Sequence, residues 1–246
     1  MKQLNEILQS YANAFLDLVN EKIDSTNESI KQALRLNKEQ DWSFIRTSMD
    51  IVDDASLAID NFLRFGLDGP TKYDEFGERF LRLYGLLNAT FLQQQAIHAL
   101  YKLNNVPHPK KAKEKIDKLK IREVRHKLGS HSCDYIENMQ DKQLESYVPI
   151  RLSLSGFNCQ YLNNETREPE NIDLKECLEE HIELMISFLD QIYEKSIQTF
   201  YKGDQKKLME FTEKLNELRI EKEGGHVLKG FDGDSKLIIH TMKTKI

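Results

Sequence analysis

Apolar residues return at intervals of three and four through most of this chain, and little interrupts them. Leu4, Ile7, Leu8, Tyr11, Phe15, Leu18, Val19 and Ile23 make one stripe, and Ile45, Met49, Val52, Ala55, Ile59, Phe62 and Leu63 make another. That spacing is the 3.6-residue period of an α-helix with one buried face. Glycine and proline number only 11 and 5 among 246 residues, so the stripes can run long. A mainly α fold is therefore expected. Helices are predicted from the N-terminus to about Leu36, from Trp42 to Phe65, and from Tyr73 to Leu103. Gly66-Leu67-Asp68-Gly69-Pro70 ends the second. The third is apolar almost all round, with Phe76, Phe80, Leu81, Leu83, Tyr84, Leu86, Leu87, Phe91, Leu92, Ile97 and Leu100. Such a helix is central or shared between subunits. Gly85 inside it costs about 1 kcal/mol relative to alanine, which predicts close approach of another backbone. Gln93 to Gln95 fall on the same helix, and at least one is expected to be buried and bonded across a helix pair.

Pro107-His108-Pro109 separates this helix from a fourth that starts near Lys111. The period then changes. Ile150, Leu152 and Leu154 alternate with Arg151, Ser153 and Ser155, and after a turn at Ser155-Gly156 Phe157, Cys159 and Tyr161 alternate on the return. This reads as a short β-hairpin at about 147–162. A polar loop runs from Asn163 to Asn171. A fifth helix is predicted from Leu174 to Tyr201 with Asp173 as its N-cap. A sixth runs from Asp204 to Lys222, ended by Gly224-Gly225. Beyond a turn at Phe231-Asp232-Gly233-Asp234 the tail contains a possible strand, Leu237 to Met242.

The net charge of −5 argues against a protein that coats duplex DNA over its whole surface. Charge is unevenly placed, however. From Lys110 to Lys127 nine lysines and arginines face three acids, a surplus of six. That asymmetry points to an anionic partner, or to a solvated helix face. No apolar run approaches the roughly 18–20 residues of a membrane span, and the N-terminus lacks a signal-peptide core. Cys133, Cys159 and Cys177 are odd in number and widely spaced, which suits reduced cytosolic thiols. A cytoplasmic protein without a membrane partner is expected.

The stretch Arg125-His126-Lys127-Leu128-Gly129-Ser130-His131 carries the chemistry. Arginine offers a permanently cationic fork to phosphate, and histidine exchanges a proton near neutral pH. An RNA 2′-OH becomes a nucleophile once a base removes its proton, and His131 suits that role or protonation of the leaving oxygen. Arg125 can neutralise the charge that gathers on the nonbridging oxygens. The product would be a 2′,3′-cyclic phosphate and a 5′-OH, with no metal or other cofactor required. On an ideal helix, six positions at about 100° each leave Arg125 and His131 about 120° apart. A kink at Gly129 can bring them together, or a symmetric dimer can place each Arg125 near the other chain's His131. Lys118, Lys120, Arg122 and Lys127 are the expected RNA contacts. His126 either orients phosphate or bonds a backbone carbonyl. Ser130 donates to phosphate or caps a turn. Asp134 holds the imidazole or is a solvated acid, and Tyr135 shares its face or packs an interface. His108, His126, His131 and Cys133 match no usual zinc-ligand spacing.

Two segments resemble a known family. Arg79-Phe80-Leu81-Arg82-Leu83-Tyr84-Gly85-Leu86-Leu87, running into Gln93-Gln94-Gln95-Ala96-Ile97, is similar to the core helix of bacterial HEPN-like proteins (higher eukaryotes and prokaryotes nucleotide-binding). Ile121 to His131 looks like the signature of that superfamily: Arg, a polar residue, then His after four to six intervening residues. Ser153-Leu154-Ser155-Gly156-Phe157 is similar to the hairpin that these proteins carry after the signature. The likeness covers Tyr73 to Tyr161. His126 stands where Asn is commoner, and Ser130 where Ala is common. The resemblance implies a HEPN-like helical bundle with an inserted β-hairpin and accessory terminal segments. Residues 1–70 would be a helical hairpin packing on the core, 71–202 the core, and 203–246 a C-terminal helix and tail. It implies further a homodimer whose two motifs face one cleft, and a metal-independent ribonuclease of the toxin or antiphage-defence kind, held in check by an antitoxin or regulatory protein. Other members of the superfamily are catalytically inactive modules that bind nucleotide, RNA or protein. A third possibility is a regulator adenylylated on a tyrosine near the motif, for which Tyr135 is the close candidate.

Overall fold

The computed structural model describes residues 2–71, 75–130, 146–229 and 236–240. Its helices are α1 (Lys2–Asp24), α2 (Ile30–Ala33), α3 (Asp41–Phe65), α4 (Phe76–Leu103), α5 (Pro109–Asp117), α6 (Lys120–Arg125), α7 (Leu174–Phe200) and α8 (Gln205–Lys222). The strands are β1 (Tyr147–Pro149), β2 (Asn158–Asn163), β3 (Pro169–Asp173), β4 (Gly225–Lys229) and β5 (Lys236–His240). The fold is thus mainly helical, with a small three-stranded antiparallel sheet in the order β1-β2-β3 and a separate β4-β5 pair. None of the described helices is long and apolar enough to cross a membrane.

The predicted stripes bury as one continuous core. α1 packs on α7 and α3, α3 on α4, and α4 on α7, with α8 against α1 and α7. Leu8, Tyr11, Phe15 and Leu18 of α1 join Val52, Ile59, Leu83, Ile97, Ile182 and Leu189 in that core. The caps also obey the local chemistry. Asp173 Oδ1 accepts from the Lys175 and Glu176 amides at 2.7 and 3.3 Å, and Asp204 Oδ1 accepts from the Lys207 amide at 3.0 Å. Each satisfies donors that the first helical turn leaves unbonded.

The structure differs from the sequence reading at several places. The first helix stops at Asp24, not Leu36, because no apolar residue lies between Ile23 and Ile30 and Ser29 with Gln32 forms a capping box that starts α2 afresh. Among the described residues nothing lies within 4 Å of a Cβ placed at Gly85, so none of their backbone approaches it. The apolar residues around α4 do not all find cover either: Leu81 is 72% exposed, and Tyr84 and Leu92 are exposed beside it.

The β-region differs as well. Residues Arg151–Ser153 form a 3₁₀ turn rather than a strand. Ser153 Oγ donates to Ile150 O at 2.7 Å and accepts from the Gln160 amide at 2.9 Å, which curls the chain and leaves Leu152 87% exposed. The segment read as a loop contains β3, whose Ile172 pairs with Cys159 and whose Glu170 pairs with Tyr161. One buried apolar residue and a proline at its start make β3 look like loop; both suit an edge strand. In the tail, β5 pairs with β4, which the sequence did not reveal.

The turn after α3 holds the sheet in place. Gly66 has φ 61°, and a Cβ there would lie 2.5 Å from Gly156 O. Only glycine admits that approach. It lets the Leu67 amide donate to Gly156 O at 2.7 Å, while Asp68 Oδ2 accepts from the Gly156 amide at 2.8 Å. Phe62 and Phe157 meet edge to face beside this junction.

Candidate functional site

The candidate site lies where α6 crosses α4. Past Arg125 the chain widens into a π-helical turn over His126–Ser130, which contains Gly129. Such turns bond i to i+5 and recur at functional sites. A π turn advances fewer degrees per residue than an α turn, so the ideal-helix angle between Arg125 and later residues does not apply here. Gly129 sits in this turn, where a Cβ would touch Arg125 Cγ at 3.6 Å.

Arg125 is half-buried, its guanidinium centred 3.5 Å from the centroid of the Phe91 ring. Arg122 approaches the same ring at 5.1 Å. Cation–π attraction holds both groups on one aromatic face. Burial and the neighbouring Arg122 charge both push Arg125 below the usual arginine value. Among the described residues no carboxylate lies within 4 Å of Arg125, whereas Lys120, Arg122 and Lys127 all have one. An uncompensated, partly desolvated guanidinium is an anion acceptor by its chemistry.

A buried polar chain positions Arg122. Its side chain is only 10% exposed; Nε lies 2.9 Å from Asp117 Oδ1, and Nη1 donates to Gln94 Oε1 at 3.0 Å. Gln94 Nε2 in turn donates to His181 Nδ1 at 3.3 Å, and His181 Nε2 donates to Gln93 Oε1 at 2.8 Å. Gln93 Nε2 continues to Ser56 Oγ at 3.0 Å, and Ser56 O accepts from Asn5 Nδ2 at 3.0 Å. The chain therefore links α1, α3, α4, α7 and α6. Burial alone lowers His181 to about 3, so it is a neutral imidazole with its proton on Nε2.

Lys120 and Lys127 belong to a different cluster. Lys120 Nζ pairs with Glu123 at 2.8 Å and Glu170 at 2.5 Å. Lys127 Nζ pairs with Glu123 at 2.7 Å and Glu170 at 3.4 Å, and it donates to Tyr161 Oη at 3.1 Å. Tyr161 Oη donates to Glu170. Burial opposes ionisation of Glu170, but the bonds from Lys120 and Tyr161 outweigh it and bring the carboxyl down to about 2. Because the folded value lies below the unfolded one, this stabilisation is present above about pH 4.5 and is lost as pH falls toward 2. Glu170→Gln should cost about 1 kcal/mol or less at pH 7, since the exposed part of the cluster is screened by solvent. The difference should shrink as pH falls through that window in urea titrations. A penalty unchanged across it would refute the ion-pair assignment.

The remaining predicted residues are scattered in role. Lys118 is exposed at the C-cap of α5 with no carboxylate within 4 Å among the described residues. His126 is half-buried at the α6 C-cap, its backbone amide bonded to Arg122 O and Glu123 O. Ser130 closes the π turn. His131, Cys133, Asp134 and Tyr135 lie outside the described residues. Among the described residues no group of three or more His, Cys, Asp or Glu is placed to hold a metal ion. Motif reading did not find Phe91, His181 or Glu170. Only the glutamine run on an apolar helix signalled the buried network. Comparison with protein-family models, curated proteins and solved structures returned no match.

Proposed function

We propose that this chain is a HEPN-type, metal-independent endoribonuclease, of the toxin or antiphage-defence kind, that acts as a cytoplasmic homodimer. The observation that carries the reading is Arg125: a half-buried guanidinium, stacked on Phe91 and lacking a carboxylate partner among the described residues. His131 takes the 2′-OH proton, the 2′-oxygen bonds to phosphorus, and the bond to the 5′-oxygen breaks with return of a proton to the leaving group. Arg125 neutralises the nonbridging oxygens, reinforced by Arg122. His126, Ser130, Asp134 and Tyr135 are the supporting residues, and Lys118, with no carboxylate within 4 Å among the described residues, is offered to the RNA backbone. Lys120 and Lys127 act on RNA only by releasing Glu123 and Glu170. A co-produced antitoxin or regulator restrains the activity.

The second copy packs on the exposed face of α4. Leu81, Tyr84, Gly85, Asn88 and Leu92 share that face. A mid-helix glycine with no neighbour among the described residues suits a two-fold contact between identical helices. Phe91, which carries Arg125, lies beside the same face.

The reading is tested with labelled single-stranded RNA in excess chelator. The wild type should cut it and leave a 2′,3′-cyclic phosphate end. Leu81→Arg with Tyr84→Arg should yield a monomer that is inactive. Intact RNA with the wild type would refute the nuclease, and a monomer cutting at full rate would refute the shared cleft. One observation favours the second reading, a catalytically silent module binding nucleotide, RNA or protein. Three of the four predicted RNA-contacting cations are already ion-paired. RNA bound but left intact would support it.

A further inference from the structure

The surplus charge read between Lys110 and Lys127 divides in the structure. Around Lys120, Arg122 and Lys127 it is answered by Asp117, Glu123 and Glu170. On α5 it is answered only in part. Lys111 and Lys115 have no carboxylate within 4 Å among the described residues, and neither has Lys195 of α7. α5 packs on α4 and α6, and a groove of about 550 Å³ separates it from α7. Lys111 and Lys115, one helical turn apart, line one wall of this groove, and Lys195 lines the other. The one acid in the lining, Glu194, is engaged by Arg219 at 3.0 Å.

The floor between the lysines is apolar and already in place. Val106 and Ala112 line it, beside Tyr101 and Phe188, which are almost fully buried and offer no open ring face. Tyr101 Oη shares its hydrogen between Pro107 O and Gln191 Oε1, each at 2.9 Å. His98 Nε2 donates to Pro109 O at 3.1 Å. These bonds pin both neighbours of His108, which sits at the rim with φ 61° and ψ 48°, a left-handed backbone that a residue with a Cβ rarely adopts. A groove held in this way needs little ordering when a partner enters it.

We infer that this groove docks an acidic, amphipathic segment of a partner protein, with carboxylates on Lys111, Lys115 and Lys195 and an apolar side chain on the floor between them. Charge complementarity sets the sign of the partner. A helix with glutamates at i and i+4 repeats the spacing of Lys111 and Lys115. Single-stranded nucleic acid suits the groove less well. Its bases need open aromatic faces to stack on, and the lining holds no arginine, the fork that matches phosphate. None of the residues from Lys118 to Ser130 lines the groove, nor does the α4 face given above to the second copy. The inference holds whether or not the Arg125 site cuts RNA.

A library of random peptides displayed on phage tests it, selected against the full chain and counter-selected against the triple variant Lys111→Glu, Lys115→Glu, Lys195→Glu. The enriched peptides should carry at least two acids around an apolar residue. Once synthesised, they should bind the wild type at least about tenfold tighter than the triple variant, and more weakly as salt is added. Lys111→Gln with Lys195→Gln, which removes charge without reversing it, should weaken binding in the same direction while leaving the thermal midpoint unchanged, because neither lysine has an ion pair to lose among the described residues. Carbodiimide, which joins a carboxylate to an adjacent amine as an amide and takes up the water as a urea, should couple the bound peptide to Lys111, Lys115 or Lys195. The inference is overturned if no peptide is enriched, if the enriched peptides lack acids, if binding ignores the lysine substitutions, or if coupling falls elsewhere. Two further outcomes overturn it by naming another occupant: displacement of the peptide by single-stranded RNA, or a triple variant whose oligomeric state differs from that of the wild type.

Discussion

Arg125→Ala should lower the single-turnover rate of RNA cleavage by roughly 10²–10³-fold, the usual effect of deleting one group aimed at transition-state charge. The structure makes this a clean experiment. Arg125 has no ion pair to break among the described residues, so its removal forfeits the stack on Phe91 and little else. Stability should change by less than about 1 kcal/mol. Arg125→Lys should recover only a fraction of the rate, because an ammonium is a point charge and not a two-pronged donor. Lys127→Ala supplies the contrast. It dismantles contacts with Glu123, Glu170 and Tyr161, so it should move stability before it moves the rate. A folded Arg125→Ala protein that cuts RNA as fast as the wild type would end the nuclease reading.

His181→Leu should destabilise the fold by about 2–5 kcal/mol at pH 7, although it introduces an apolar residue into a fully buried position. Leucine removes the donor to Gln93 Oε1 and the acceptor for Gln94 Nε2. Each stranded amide atom costs about 1–3 kcal/mol. The effect should depend on pH with a definite sign. The folded value of His181 is held near 3 by burial, below that of the unfolded chain. Its neutral form therefore contributes fully above about pH 6.5, and that contribution is lost as pH falls toward 3, by about 1.4 kcal/mol per pH unit. The leucine variant lacks that term, so the stability gap should narrow on acidification. Denaturant unfolding at pH 7, 6 and 5 measures it. A constant gap, or one below about 0.5 kcal/mol, would show that the buried chain from Asn5 to Arg122 does not hold the core together.

The helices were readable because their information is local. The 3.6-residue stripe and the Asp173 and Asp204 caps act within one or two turns, and α3, α7 and α8 begin and end within a residue or two of where those signals place them. The errors arose where a non-local partner or a competing side-chain bond decides. β3 carries one buried apolar residue and is a strand because β2 lies beside it. Residues Arg151–Ser153 alternate like a strand, yet Ser153 curls them into a turn.

The candidate site divides in the same way. By itself the sequence established a mainly helical chain and singled out Arg125 by its spacing from His131, since periodicity and motif spacing are properties of neighbours along the chain. Tertiary structure decided which cations remain available. Lys127 meets Glu170 across 43 positions and His181 meets Gln93 across 88. A charge or a buried amide is satisfied by whatever group folding brings within about 3 Å, and chain order does not encode that proximity.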